Sequence, residues 1–506
     1  MKLKSLYILG LAAVLGTGCN KSFLDVNTNP NSLPSATPAF VIANALNVTG
    51  NNMVGPNELG AYWSGQWTQS NGYIISTTTF AYNFTNGDFN YWDGFYDNLQ
   101  DYQYVITGAD AAGQAYLKGP AKVMKAFVFQ HLVDMYGNVP YSDALKGVAS
   151  LAPKFDDQKT IYEGLITLLD EAIVDLKANA FANAYAGSDI MFKGSTTKWI
   201  QFANSLKLRI LTHQARITGR DGYITTEVNK IVTGAGGWLT GAEASINPGY
   251  EAVAGHTNPI YNNWGYSETN AKRALNNYPR LTQFFVNTLK ANNDTFRLKR
   301  FGYANGGESS TTPGVSAVAE NASNYTGIPF GASAGYLPSA ASSLGPSLLV
   351  RGEYARPLVI MSAAEVQFCL AELKQRFPAV TLSGTPQSYY EEGVKQAFRL
   401  VGSTTAQATT LLTSGIDNCD FVASTNKLTA IATQKWFALA NFNGFEAWTE
   451  YRRTQLPNTP QSLQVVNSDR PRRFYYPASE LGSNGANVTA QGTIDPFKSK
   501  IFWDVN

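Results

Sequence analysis

The clearest signal along the chain is apolar side chains returning at three- and four-residue steps. Between 113 and 136, Val123, Phe127, His131 and Leu132 recur at that interval, and Met124, Val128 and Met135 widen the stripe. Between 158 and 178, Ile161, Leu165, Leu168, Leu169, Ile173 and Leu176 repeat the pattern. Such spacing gathers apolar groups on one face of a helix with 3.6 residues per turn. Asp156 or Asp157 stands where the second of these helices needs a cap. The same reading predicts helices over 36–49, 54–70, 88–109, 196–218, 223–234, 276–291, 361–376, 386–401, 427–441 and 443–454. The expected class is mainly α. The helices come in pairs with short joins, an arrangement that resembles tetratricopeptide stacking without its consensus residues.

Two long polar stretches, 235–275 and 300–357, interrupt this frame. They are rich in Gly, Asn, Ser and Thr and are punctuated by Trp264, Tyr266, Tyr303, Tyr325 and Tyr336. Loops of this length in a compact domain usually carry function. Helices from both halves have to cover one another, so a single domain over 36–506 is expected, with the loops as an irregular subregion.

The first 18 residues have the anatomy of a secretory signal peptide: Lys2 and Lys4, an apolar stretch from Leu6 to Leu15, then Gly16, Thr17 and Gly18 before Cys19. The stretch is shorter than the roughly 20 residues a membrane-spanning helix needs. A Cys directly after small residues marks a lipidation site, although Leu15 lies one place further back than in a typical lipobox. Residues 19–35 then read as an extended tether to an outer-membrane lipid anchor. Removing Lys2 and Lys4 from the 39 basic residues leaves 37, against 37 acidic ones. That balance argues against nucleic acid as a partner. Charged residues make up only 15% and aromatics 12%, a surface that is polar without being ionic and suits neutral, hydroxyl-rich ligands.

Chemistry-bearing motifs are sparse. There is no CxxC pair, HExxH, GxSxG, GxGxxG or phosphate-binding loop, and no cofactor is expected. With Cys19 lipidated, Cys369 reads as a buried free thiol in preference to a disulfide with Cys419. His131 and His213 fall in helical stretches beside apolar residues and read as core histidines. Asp25 to Asn29 imitates half of a calcium loop, but Pro30 and Ala36 stand where Gly and Glu are required. Glu446 and Glu450 flank Trp448 and invite a glycosidase reading. One turn apart beside Arg452 and Arg453, they read instead as a surface ion-pair cluster.

Several strings converge on one family. DMYGNVPYSDAL (Asp134 to Leu145), WIQFANSLKLRILTHQARI (Trp199 to Ile217), PLVIMSAAEVQFCLAEL (Pro357 to Leu373), QKWFALANFNGFEAWTEYRRTQLP (Gln434 to Pro457) and PRRFYYPASE (Pro471 to Glu480) resemble SusD/RagB proteins, in order and over nearly the whole chain. In the first string Gly137 can stop a helix, Pro140 prevents its resumption, and Tyr136 and Tyr141 are expected to pack across the turn. The resemblance implies a mainly α, SusD-like fold with tetratricopeptide-like hairpins under a loop-rich, ligand-facing subregion. It further implies a surface lipoprotein that captures oligosaccharides, or sometimes peptides, for a SusC-like TonB-dependent transporter.

Sugars are held by aromatic rings stacked on their faces and by amides bonding their hydroxyls. The densest such constellation spans 61–92, and from it Trp67, Asn71, Tyr73, Tyr82, Asn83 and Phe84 are the candidate ligand residues. In family members with known glycan sites the ligand meets the loop after the second helix and later inserted loops. That adds Trp264, Tyr303, Tyr325 and Tyr336. Two rival readings make opposite demands. A helical scaffold lipoprotein without a small ligand predicts that the aromatics of 61–86 are buried, and a hydrolase predicts dependence on a carboxylate.

Overall fold

The structure is a computed structural model that describes residues 36–181, 183–234, 236–465 and 469–506. The signal segment, Cys19 and the tether lie outside these residues. Thirteen principal helices carry the described chain. They are α1 (Pro38–Trp63), α2 (Trp92–Gly108), α3 (Lys118–Tyr136), α4 (Gln158–Ala178), α5 (Thr196–His213), α6 (Asp221–Thr233) and α7 (Gln283–Ala291), followed by α8 (Thr295–Phe301), α9 (Ala363–Arg376), α10 (Pro386–Leu400), α11 (Thr405–Leu412), α12 (Lys427–Leu439) and α13 (Gly444–Thr454). Four short strands form two antiparallel ribbons: β1 (Trp67–Gln69) with β3 (Pro279–Leu281), and β2 (Ala244–Ile246) with β4 (Leu358–Met361). The fold is mainly α, as the periodicity predicts.

Local chemistry explains most boundaries. Asp157 caps α4 by accepting from the Lys159 and Thr160 amides, and Ser195, Ser362 and Asn443 cap α5, α9 and α13 in the same way. Thr385 and Ser388 form a reciprocal capping box on α10. Gly137 ends α3 at φ 75°, where a Cβ would stand 2.9 Å from Arg473 Nη1. The two tyrosines beside it go separate ways. Tyr136 packs edge-on against Trp92 at 5.1 Å, and Tyr141 against Phe129 at 4.8 Å.

Tertiary packing overrides three sequence expectations. The helices expected at 36–49 and 54–70 are one, because α1 runs through Gly50 and Pro56. Pro56 removes one intrahelical donor, yet α1 persists because α2 and α13 cover its sides. The helix expected from 276 starts only at Gln283, since Pro279–Leu281 pair with β1. The short helices α8 and α11 are additions.

Successive helices from α1 to α5 pack side by side; α5 then meets α9, α9 meets α12, α12 meets α13, and α13 returns to α1. The two ends of the chain therefore share one core, in which Trp63 lies 5.0 Å from Trp448 and Trp503 donates to Asp134 at 2.8 Å.

Inside this ring sits an ionic network. Arg209 makes a bidentate pair with Glu365 (2.6 and 2.9 Å), and Arg453 bridges Glu372 and Glu450 (2.6 and 2.5 Å). Lys435 bonds Glu450 at 2.9 Å, and His213 bridges Tyr162 and Glu446 at 3.0 and 2.9 Å. Despite burial, His213 and Arg209 hold the Glu446 carboxyl down at about 2. Glu446 and Glu450 are thus ion-paired but buried, not on the surface as expected, because α13 is covered on one side by α1 and on another by α12. His131 and His213 are core residues, and Cys369 and Cys419 are both free and buried.

Candidate ligand-binding face

The loop-rich face is organised by the β1–β3 ribbon. Trp67 pairs with Leu281, Thr68 with Arg280 and Gln69 with Pro279, and Arg280 is bridged in turn to Ser343. Three loops leave this ribbon together: 70–76 after β1, 272–278 before β3, and 332–343. Side-chain amides lock them. Gln69 accepts from Tyr278 Oη at 2.8 Å and donates to the carbonyls of Tyr73 and Ile74. Asn71 donates to the Ala332 carbonyl and accepts from the Tyr336 amide, both at 2.7 Å.

An aromatic run crosses these loops. Tyr73 meets Tyr278 edge-on at 5.1 Å, and Tyr278 stacks on Trp264 at 5.8 Å. Tyr73 is half-buried with its hydroxyl on the Ala274 carbonyl, Tyr336 is half-buried, and Ile74 at the loop tip is 94% exposed. Beside the run opens a cleft of about 400 Å³ lined by Lys272, Asn277, Arg280, Leu337, Ser339 and Ser343 among others, with Gly306 and Gly307 leaving one wall free of side chains.

Of the ten candidate ligand residues, six are buried in the protein by itself: Trp67, Tyr82, Phe84, Trp264, Tyr303 and Tyr325. Trp67 donates to Asn441 at 3.1 Å, Tyr82 and Phe84 pack on Trp63, and Tyr303 donates to the Leu349 carbonyl at 2.9 Å. Trp67 and Trp264 do come together, but in the wall of a narrow pocket against α1 that also holds Glu58. Burial raises the Glu58 carboxyl to about 8. Phe84 edges an apolar groove of about 350 Å³ with Tyr475, Leu481 and Ile494. Tyr73, Asn71 and Tyr336 meet at the locked loops, while Asn83 is exposed.

Sequence reasoning missed Tyr278, Lys272 and Arg280. The signal was present in Asn276-Asn277-Tyr278-Pro279-Arg280, an amide–aromatic string that the helix predicted over 276–291 concealed.

The described residues contain one group with metal-ligand geometry: His213, Glu446 and Glu450, whose ligand atoms lie within 4.8 Å of one another. Lys435 and Arg453 already hold the Glu450 carboxylate, and His213 holds Glu446, so cations of the protein fill that role. No described helix is long and apolar enough to cross a membrane.

Known proteins were compared with this geometry in view. No curated protein matches the sequence. Among solved structures, a SusD homologue from Bacteroides uniformis superposes with a TM-score of 0.72 at 22% identity, covering 92% of this chain and all of that one. A chitin-binding SusD homologue from Flavobacterium johnsoniae gives 0.72 and 22%, covering 92% and 99%. A SusD homologue from Bacteroides fragilis gives 0.74 and 19%, covering 92% and 100%. These likenesses establish the fold. The sequence profile described as "starch-binding associating with outer membrane" matches residues 30–477, and with most of its length so matched the chain belongs to the SusD-like family of nutrient-binding proteins.

Proposed function

We propose that the protein is a cell-surface lipoprotein, anchored through Cys19, that captures an oligosaccharide and passes it to a SusC-like TonB-dependent transporter. The observation that carries this reading is family membership over 30–477. The aromatic run Tyr73–Tyr278–Trp264 beside an open polar cleft supports it, and the ligand is assigned to that face on this reading. A partly exposed aromatic ring next to amide and hydroxyl groups is what a sugar face and its hydroxyls require. Chitin binding by the Flavobacterium relative makes chito-oligosaccharides the first neutral ligands to try.

The test is calorimetry with a panel of oligosaccharides on the wild type and on Tyr73→Ala. Binding that is lost on removing Tyr73 supports the site, and binding indifferent to it moves the site elsewhere. Extraction in mild detergent tests the partnership: a chain recovered alone while its transporter is present in the same membrane counts against it.

One observation favours a second reading. Trp67, Tyr82 and Phe84 are buried, as a helical scaffold without a small ligand predicts. The two readings part at Tyr73, since only the binding protein loses a ligand when that ring is removed. A peptide ligand in place of a saccharide is the other alternative, and the same panel with peptides included addresses it.

A further inference from the structure

Buried arginines in this protein ordinarily meet a carboxylate: Arg209 meets Glu365, Arg297 meets Asp294, and Arg453 meets Glu372 and Glu450. Burying a guanidinium is costly, and a paired acid offsets that cost. Among the described residues Arg452 and Arg473 have no carboxylate within 4 Å, but their guanidinium groups lie over the rings of Trp448 and Tyr476, at 3.6 and 5.0 Å. Arg280 has neither. It is 3% exposed, its side chain makes no ion pair among the described residues, and it forms part of the wall of the 400 Å³ cleft.

Its bonds all go to carbonyls. Nε and Nη2 donate to Pro338 O at 3.1 and 3.0 Å, and Nη1 donates to Asn276 O and Pro279 O at 3.2 and 2.8 Å. Of the five N–H groups of a guanidinium, one on Nη2 is left over. Three carbonyl dipoles hold the group in place without cancelling its charge. Lys272 shares the cleft and also makes no ion pair among the described residues; burial first, and then the charge of Arg280, lowers its pKa. Glu308, whose charge partly opposes that lowering, is already occupied by the hydroxyls of Tyr266 and Tyr303 and the amides of Gly314 and Arg351. The cleft is therefore a polar hollow with two positive charges that no carboxylate among the described residues pairs directly, beside an aromatic run.

We propose that this cleft receives an anionic substituent of the ligand, a carboxylate or a sulfate ester, so that the captured nutrient is an acidic oligosaccharide. The inference rests on the oligosaccharide-binding reading above. It departs from the neutral ligand that the low overall charge implied, because net charge is a sum over the surface and says nothing about one cleft. The anion would complete the Nη2 donor and relieve the repulsion between Arg280 and Lys272. The aromatic run and the Asn277 and Ser339 side chains remain for the sugar ring.

The test is calorimetric titration of the full chain in mild detergent with matched pairs. The probes are an oligogalacturonate and its methyl ester, a sulfated galactan oligosaccharide and its desulfated form, neutral chito-oligosaccharide, and an acidic peptide. At low salt the acidic member of a pair should bind about 10-fold more tightly than its neutral twin, with the gap closing at high salt. Whichever pair shows the gap tells carboxylate from sulfate. Lys272→Gln, at an exposed position, should cut the gap about threefold. Arg280→Gln should abolish it, with an unchanged melting curve as proof that the loops still hold.

Equal binding of both members, with neutral oligosaccharide still lost in Tyr73→Ala, overturns the inference and leaves the proposed function standing. No binding of any saccharide overturns both. An acidic peptide that binds where no acidic saccharide does overturns the inference in favour of a peptide ligand.

Discussion

Gly60 on α1 and Gly444 at the start of α13 touch backbone to backbone. A Cβ on Gly60 would overlap the Gly444 carbonyl and the Phe445 Cα, and a Cβ on Gly444 would overlap the Asn57 carbonyl. Each helix therefore uses a missing side chain to bring the two ends of the chain within reach. Gly60→Ala should destabilise the protein by about 1–3 kcal/mol or more, since backbone cannot retreat as a side chain can. Thermal melting checks it, and an unchanged melting temperature would mean that the helices separate without cost.

The Arg209–Glu365 pair lies at the centre of the helical ring with no exposure on either side chain. Removing the arginine alone strands the Glu365 carboxylate in the core and takes one of the cations from beside Glu446. Arg209→Met should cost about 3–5 kcal/mol, and the double replacement Arg209→Met with Glu365→Met should recover much of it. Denaturant titration of the three proteins decides; equal losses in the single and double variants would show that shape and not charge is at stake.

Glu58 supplies a pH signature. Burial raises its pKa to about 8 from an ordinary 4.5, so between those values the folded protein binds a proton that the unfolded chain has released. Its contribution to stability is fully present below about pH 4.5 and is lost as pH rises through about 8. Glu58→Gln mimics the protonated form. It should match the parent at pH 5 and become more stable than it by pH 8, gaining at most about 1.4 kcal/mol per pH unit. A stability difference that does not change with pH would show that Glu58 ionises freely in the fold.

Tyr73 and Trp67 come from the same stretch of sequence but should respond oppositely. Tyr73→Ala removes a half-buried ring at the cleft and should weaken oligosaccharide binding about 10-fold with little effect on melting. Trp67→Ala removes a buried ring and should cost about 3–5 kcal/mol of stability. Calorimetry and melting on both variants separate the roles, and a stability loss in Tyr73→Ala without a binding loss would make that ring structural.

The sequence by itself determined the helical class, most helix spans, a cap at Asp156 or Asp157, and the family, because each depends on local spacing or on strings of consecutive residues. It also singled out Tyr73, Asn71 and Tyr336, which the structure draws together. Only the tertiary structure decided which aromatics face outward. Tyr82 and Phe84 lie in a stretch without helical periodicity, Trp67 lies in an expected helix that stops short of it, and burial of all three depends on partners hundreds of residues away, such as Asn441 and Gln461. The same holds for charge. Glu446 and Glu450 look like surface acids beside arginines until α1 and α12 close over α13, and burial turns them into the centre of an ionic network. Lys272 and Arg280 are two of 39 basic residues in the sequence. They become distinctive only where the β1–β3 ribbon and the 332–343 loop fold a polar hollow around them in which no carboxylate among the described residues pairs with either.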